Sequence, residues 1–510
     1  MNEHSRTEYS MINIMAGVGG YIINAILGFI CRMVFAKYLS ADYLGVNGLF
    51  TNILSMLSLA ELGIGGAIVY ALYKPLAEHN EKKIASLVKV YGTAYKFVGI
   101  VVGIIGICLM PFLNVIITEQ PSISESIYVL YLLNLFNTVI TYFFSYRSSL
   151  LIAAQQNYIV VGVNYTITIL QSILQTLVLV CTHNYMAYLL IQTVGIVIYN
   201  LLISHIAVRR FPYITGKSIE PLSQKEKGEL FKNVKDLTFY KISGLLVNST
   251  DNILITFFQG LATTGIASNY TLLVNMLNSL LGQIFNSLTA SIGNHNAIEN
   301  IEKKHEMFRF LNMVNAWIYG WGALGIYFCS SDLVRVCFGE NYVLHESIPM
   351  ILAINFYISG VTNIVGTYKH TLGLFRQGRF IQIGTGVVNI ILSIILGKYW
   401  GLFGILCATG IARACTHLWY TPYVVYKYGF NMKTVEYWKS YFKYTLIVLL
   451  SAIICKWITS LIPESFFFQV VLKMVLCSII ANGVFVMTLF RTSEFKRLLQ
   501  YKDYILRKNQ

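Results

Sequence analysis

The sequence predicts an all-α integral membrane protein of about 14 transmembrane helices, built as two pseudo-symmetric six-helix bundles around a central cavity plus two C-terminal helices. Three observations predict it. Of 510 residues, 56% are hydrophobic and only 12% charged, about half the charged share of a soluble domain. A soluble surface needs polar cover whatever its core, and a membrane solvent removes that need. Apolar stretches of roughly 20 residues, enough to cross the hydrocarbon, recur along almost the whole chain. The basic residues, finally, gather in alternate connections.

The apolar ruler places helices at roughly 11–35, 43–73, 88–117, 126–153, 158–181, 185–207, 236–259, 262–292, 308–329, 345–372, 379–397, 402–426, 439–460 and 466–490. The second, eighth and tenth exceed the bilayer's needs and are expected to tilt or project into water. Ten polar residues precede the first helix with no basic region leading to a cleavage site, so the first helix is expected to be retained.

Charge sets the orientation. Lys82 and Lys83 follow the second helix; Arg209, Arg210, Lys217, Lys225, Lys227, Lys232 and Lys235 occupy the longest loop; Lys303, Lys304 and Arg309 follow the eighth helix. Arg376, Arg379, Lys427, Lys433, Lys439 and the tail from Arg491 to Lys508 continue the same side. The alternate connections are short and acidic, with Glu119, Glu125, Asp332, Glu340, Glu346 and Glu464. Both termini are therefore expected in the cytoplasm. The net charge of +15 belongs to these loops and not to a nucleic-acid partner.

The domains expected are an N-terminal bundle at 1–207, a basic linker at 208–235, a C-terminal bundle at 236–428, two helices at 429–490 and a basic tail at 491–510. The halves repeat weakly. Tyr146-Arg147-Ser148-Ser149-Leu150 matches Tyr368-Lys369-His370-Thr371-Leu372, Gln155 matches Gln377, and Gly45 to Thr51 aligns with Gly265 to Thr271. Parallel repeats joined by a central loop are a transporter plan.

Enzyme signatures are missing: no phosphate-binding G-x-x-x-x-G-K-[ST] loop, no metal-ligand spacing, no nucleophile elbow, and no loop long enough for a soluble catalytic domain. The nine cysteines include no C-x-x-C pair and read as small buried hydrophobes. No cofactor is expected.

Ionisable groups inside the spans carry the functional signal, since each costs roughly 2.5–3.5 kcal/mol at a helix centre and so faces protein or water. They are Arg32, Glu61, Arg147, Lys241, Asp251, Lys369, His370 and Arg413. Spacings of three and four gather polar stripes beside them: Asn24 with Arg32, Asn134 with Asn137, Asn248 with Lys241 and Asp251, Asn275 with Asn286, and Asn355 with Lys369. Amides and hydroxyls suit sugar hydroxyls, and cations suit phosphate. The expected site therefore has a cationic part, Arg32, Lys241, Arg147, Lys369 and His370, and a sugar-facing part, Asn24, Asn134, Asn137, Asn248, Asn275, Asn286 and Asn355. Asp251 and Glu61 are the candidates for H+ or Na+ coupling. The plainer alternatives stay open: Asn and Ser tie neighbouring helices, cations near helix ends snorkel, Asp251 neutralises a nearby cation, and Arg413 is structural.

Arg32 through Tyr70, with AKYLSADYLGVNGLF and LAELGIGGAIVYALY, then YRSSLLIAAQQNY, then Val387 to Arg413, together with the helix number, resemble the polysaccharide repeat-unit flippases of the multidrug/oligosaccharidyl-lipid/polysaccharide exporter superfamily. The resemblance covers nearly the whole chain, on diffuse glycine and apolar patterns. It implies two bundles around a V-shaped cavity open alternately to each side, with the last two helices making a groove for a polyprenyl tail. It implies a multi-pass protein of the bacterial cytoplasmic membrane whose substrate is a polyprenyl-pyrophosphate-linked oligosaccharide, with membrane lipid, a polysaccharide polymerase and an initiating glycosyltransferase as partners. Arg32 matches an arginine common in the family's first helix. The competing readings are a drug or metabolite exporter, which usually lacks the last two helices, a lipid II flippase, and a polymerase or ligase, which needs a large outer loop.

Overall fold

The computed structural model describes residues 6–57, 64–117, 121–154, 156–215, 224–374, 381–461 and 466–508, without the side chains of 6–19, 229–249 and 501–508, among others. Every regular element among them is a helix. Contacts divide the chain into two compact units, Met1–Gly265 and Ile266–Gln510.

The first unit holds α1 (Arg6–Tyr38), α2 (Ala41–Leu57), α3 (Ile64–Ala77), α4 (Glu81–Leu109), α5 (Ile127–Tyr142), α6 (Ser145–Ala153), α7 (Asn157–Thr182), α8 (Tyr185–Arg210) and the first limb of α9 (Gln224–Ile298). The second holds the rest of α9, then α10 (Ile301–Phe338), α11 (Ser347–Val361), α12 (Asn363–Thr371), α13 (Ile381–Cys415), α14 (His417–Val424), α15 (Val435–Thr459), α16 (Phe466–Leu489) and α17 (Ser493–Lys508). In the first unit α7 packs between α1 and α8, and α4 against α5; in the second, α10 packs against α11 and α16.

Seven helices among the described residues are each long and apolar enough to cross a membrane, and the α5–α6 pair, bent by 45°, makes an eighth. The long helix α10 is more polar, carrying Asn312, Asn315, Trp317 and Tyr319. Large aliphatic and aromatic side chains face outward, Phe97 at 67% and Ile104 at 57% exposure. Lipid is the solvent that tolerates such a surface.

Helix starts follow local chemistry. Asn80, Asn184 and Asn300 each accept the backbone N–H three residues on, at 3.0 Å in all three cases, satisfying an otherwise unpaired donor. These caps start α4 and α10 about a turn or two before the apolar ruler does.

Two expected helix pairs have no loop between them. The pair at 236–259 and 262–292 is one run broken only at Gly260 (φ 80°, ψ 171°), and the pair at 379–397 and 402–426 is broken at Gly401 (φ 54°, ψ −135°). Only glycine enters such conformations at little cost. The limbs are then tied across each break: Thr256 to Thr264 at 2.9 Å, Asn389 to Thr409 at 2.8 Å, and Thr385 to Thr416 at 2.7 Å.

The internal repeat has a structural counterpart. A 16-residue helix followed by a 9-residue one (α5, α6) matches a 15-residue helix followed by a 9-residue one (α11, α12), and the Tyr-Arg and Tyr-Lys pairs lie on the two short helices. Gly45 and Gly265, equated by the repeat, touch within the first unit. A Cβ on Gly265 would lie 2.1 Å from the Ala41 carbonyl oxygen, and one on Gly45 would lie 2.0 Å from that of Leu261.

One expectation is corrected. Asp332 is not a loop acid: α10 runs on to Phe338, and Asp332 is buried within it. It pairs there with Lys473 of α16 at 2.6 Å and with Arg335 at 3.1 Å. The helix continues because these partners neutralise the carboxylate. The tail, meanwhile, is helical. On α17, Glu494 pairs with Arg309, Arg497 with Glu306 at 3.1 Å, and Phe495 stacks on Trp317 with ring centroids 6.2 Å apart.

Candidate functional site

A polar cavity of about 340 Å³ lies in the first unit, lined by Thr51 and Ser55 of α2, Asn134, Asn137 and Thr141 of α5, and Gln192 of α8. Spacings of three and four put the α5 residues on one helical face. The hydroxyls bond their own helices: Thr51 to the Asn47 carbonyl at 2.7 Å, Thr138 to that of Asn134 at 3.1 Å, Thr141 to that of Asn137 at 3.0 Å. Each hydrogen is thus spent, and the oxygen remains an acceptor toward the cavity. Asn134 likewise donates to the Leu130 carbonyl at 2.8 Å.

Asn137 differs. It is 6% exposed, and neither its amide nitrogen nor its oxygen finds a partner among the described residues. A buried amide left unpaired costs about 1–3 kcal/mol, so the position is strained for stability and open for a ligand that both donates and accepts.

The remaining expected residues disperse. Arg32 is half-buried beside Tyr188, and Asn24 donates to the Gly20 carbonyl at 3.1 Å with its buried oxygen unpartnered. Neither lines the polar cavity. Arg147 donates to Ser204 and lies over the Tyr146 ring, 5.3 Å from its centroid; it lines a separate cavity. Asp251 is half-buried. Glu61 and the side chains of Lys241, Asn248 and Asn286 lie outside the described residues.

In the second unit, Lys369 lies within electrostatic reach of His370 and His417, and Arg413 within reach of His417. Arg413 thereby joins a basic group at the repeat counterpart of Arg147. Asn355 is a helix tie, donating to the Leu406 carbonyl at 2.9 Å, and Asn275 is exposed.

Sequence reasoning missed Lys473, which sits in the middle of an apolar span and pairs with Asp332, and Lys96, which shares a cavity with Arg147. Lys89, Thr93 and Lys96 stand at helical spacing, the signal that finds the second. It also missed that Cys477 lies within hydrogen-bonding reach of both Cys329 and Cys455. No group of metal-ligating side chains occurs among the described residues.

No family model matches the chain, and no curated protein matches it in sequence. Solved structures match in fold. A lipid II flippase, MurJ, in an inward closed conformation aligns with TM-score 0.68 and 16% identity over 94% of this chain and 100% of that one. An inward-facing multidrug resistance MATE family transporter of the MOP superfamily aligns with TM-score 0.63 and 13% identity over 78% of this chain and 94% of that one. An outward-facing MATE transporter gives TM-score 0.51 and 12% identity over 83% and 99%. At these identities the likeness establishes the fold: this chain has the multi-pass, all-helical membrane fold of those transporters.

Proposed function

We propose that the protein is a flippase that carries polyprenyl-pyrophosphate-linked oligosaccharide repeat units from the cytoplasmic to the outer leaflet, for cell-surface polysaccharide synthesis. The observation that carries the reading is the polar cavity around unpartnered Asn137, set among helices whose outer faces are aliphatic. A sugar chain cannot cross hydrocarbon because its hydroxyls would lose their water. Amides and hydroxyls replace that water while the polyprenyl tail stays in lipid. No chemical bond changes, so the protein acts as a transporter and not an enzyme. The bacterial cytoplasmic membrane, termini on its inner side, a polymerase and an initiating glycosyltransferase as partners, and H+ or Na+ coupling through Asp251 and Glu61 belong to the same proposal.

A second reading has its own support. The lipid II flippase structure matches 94% of this chain, the inward-facing MATE transporter only 78%. Coverage of that kind favours a lipid-linked glycan over a drug and leaves lipid II as the rival cargo. Liposomes containing the purified protein and either a polyprenyl-pyrophosphate oligosaccharide or lipid II separate the two, with headgroup accessibility to an external enzyme as the readout. Protein-dependent equilibration of the oligosaccharide, reduced at least tenfold in Asn137→Leu, is the expected result. Equilibration of lipid II alone moves the assignment to that cargo, and uptake of small cations without either overturns both.

A further inference from the structure

The first unit contains a second cavity, also about 340 Å³, which the sugar-facing reading does not use. Lys89 and Lys96 reach it from α4, Tyr146 and Arg147 from α6, and Thr215 from the 3-10 turn Pro212–Thr215 that follows α8 and packs on α4. Its lining holds three cations and no carboxylate.

Lysines seven apart on an exposed helix are ordinarily a solvated face. Two features distinguish this pair. A third cation enters from a different helix, and it is held in place. Arg147 spends one terminal nitrogen on Ser204 of α8 and rests on the Tyr146 ring, which leaves most of its five-donor fork for a ligand. The beginning of the basic linker also forms one wall, with Tyr213 and Ile214 packed against the apolar cluster around Tyr91 and Tyr95. Thr93 and Thr215 give their hydrogens to the carbonyls of Lys89 and Pro212, so the three cations and the Tyr146 hydroxyl are the side chains that can donate to an anion. A planar fork and two mobile point charges are the donors that suit phosphate oxygens.

The geometry points to an oxyanion site in which Lys89, Lys96 and Arg147 hold the diphosphate of the polyprenyl carrier, at the end of the first unit that carries the basic loops. The site rests on the flippase reading for the identity of the carrier, though not for its affinity for an anion. Inorganic diphosphate and the phosphate of a bulk phospholipid share the chemistry, so both are probed.

Full-length protein in nanodiscs of neutral lipid is titrated with inorganic diphosphate and with polyprenyl diphosphate, and the titration is repeated in nanodiscs containing phosphatidylglycerol. Lys89→Gln/Lys96→Gln changes exposed side chains, so an unchanged Tm checks that it folds. The expected result is at least tenfold weaker binding of both diphosphates by this variant, insensitivity of the wild type to phosphatidylglycerol, and a raised KM for lipid-linked sugar. Equal affinity in variant and wild type overturns the site and leaves the flippase reading intact. Loss of wild-type diphosphate binding in phosphatidylglycerol assigns the site to bulk lipid and overturns the carrier. Diphosphate binding that depends on the lysines, without transport of any lipid-linked sugar, keeps the anion site and overturns the flippase.

Discussion

Asp332 and Lys473 close an ion pair at 2.6 Å between α10 and α16, with side chains only 11% and 15% exposed. Arg335 takes the other carboxylate oxygen at 3.1 Å. The pair fastens the penultimate helix to the second unit. Removing Asp332 leaves Lys473 charged, unpaired and shielded from water, which costs about 3–5 kcal/mol, whereas removing Lys473 leaves Asp332 paired with Arg335 and costs less. Asp332→Asn is expected to lower Tm markedly in detergent, Lys473→Met to lower it less, and the double variant to lose less than the sum. Additive losses would show that the two side chains are not coupled.

Asn137 and Asn355 are both buried amides, and leucine is expected to separate them. Asn137 has no partner to lose, so Asn137→Leu should keep or raise Tm while transport falls at least tenfold. Asn355→Leu removes a hydrogen bond that ties its helix to the Leu406 carbonyl, at a cost of about 0.5–1.5 kcal/mol, and should lower Tm. Thermal unfolding and liposome transport of the two variants read both effects. A lower Tm together with normal transport in Asn137→Leu would remove the residue from the site.

The approach of Gly45 and Gly265 leaves no room for a methyl group. Gly265→Ala places Cβ against backbone, 2.1 Å from the Ala41 oxygen and 2.8 Å from the Gly45 nitrogen. Neither neighbour is a side-chain end that can swing away. Loss of both stability and transport is expected. Gly282→Ala meets nothing within 4 Å and should be neutral or, as a helical alanine, stabilising by up to about 1 kcal/mol. Equal Tm values for the two variants would mean that the backbones part freely.

His305, in the second turn of α10 ahead of the expected span at 308–329, bonds the Tyr426 hydroxyl at 3.1 Å and lies 3.7 Å from Glu436. Burial holds its pKa below the ordinary 6.5; Glu436 opposes that effect and Arg309 adds to it. Because the folded state resists the proton, its stability is complete above about pH 6.5 and falls as pH drops through and below that value. Tm measured at pH 7.5 and 5.5 should fall for the wild type by more than for His305→Gln. Identical pH dependence would exclude the imidazole as the source.

The helices were legible because lipid imposes length and apolarity one segment at a time. Even the loopless hairpin at Gly260 showed as a pause between two apolar runs. The repeat was legible at Tyr146-Arg147 and Tyr368-Lys369 because both occupy the same short helix after a break. Partners were not legible. Asp332 looked like a loop acid because its neutralising Lys473 lies far along the chain, and only packing brings them together. Among the amides, Asn137 and Asn355 look alike in sequence, and what distinguishes them is whether a carbonyl of another helix happens to stand opposite.

Gly260 and Gly401 each turn a helix pair with a single residue, on the side the charge pattern assigns away from the basic loops. At both places that side presents almost no chain to grip. Proteases, antibodies and inserted reporter tags will find no purchase there without unwinding a helix. On the orientation that the charge pattern assigns, topology mapping from outside finds more chain at the 3-10 turn Glu340–Tyr342, at His183 and Asn184 between α7 and α8, and in the connection after Ile116. The same bareness makes the two hairpins poor targets for a binding reagent applied to intact cells, however well the rest of the molecule is expressed.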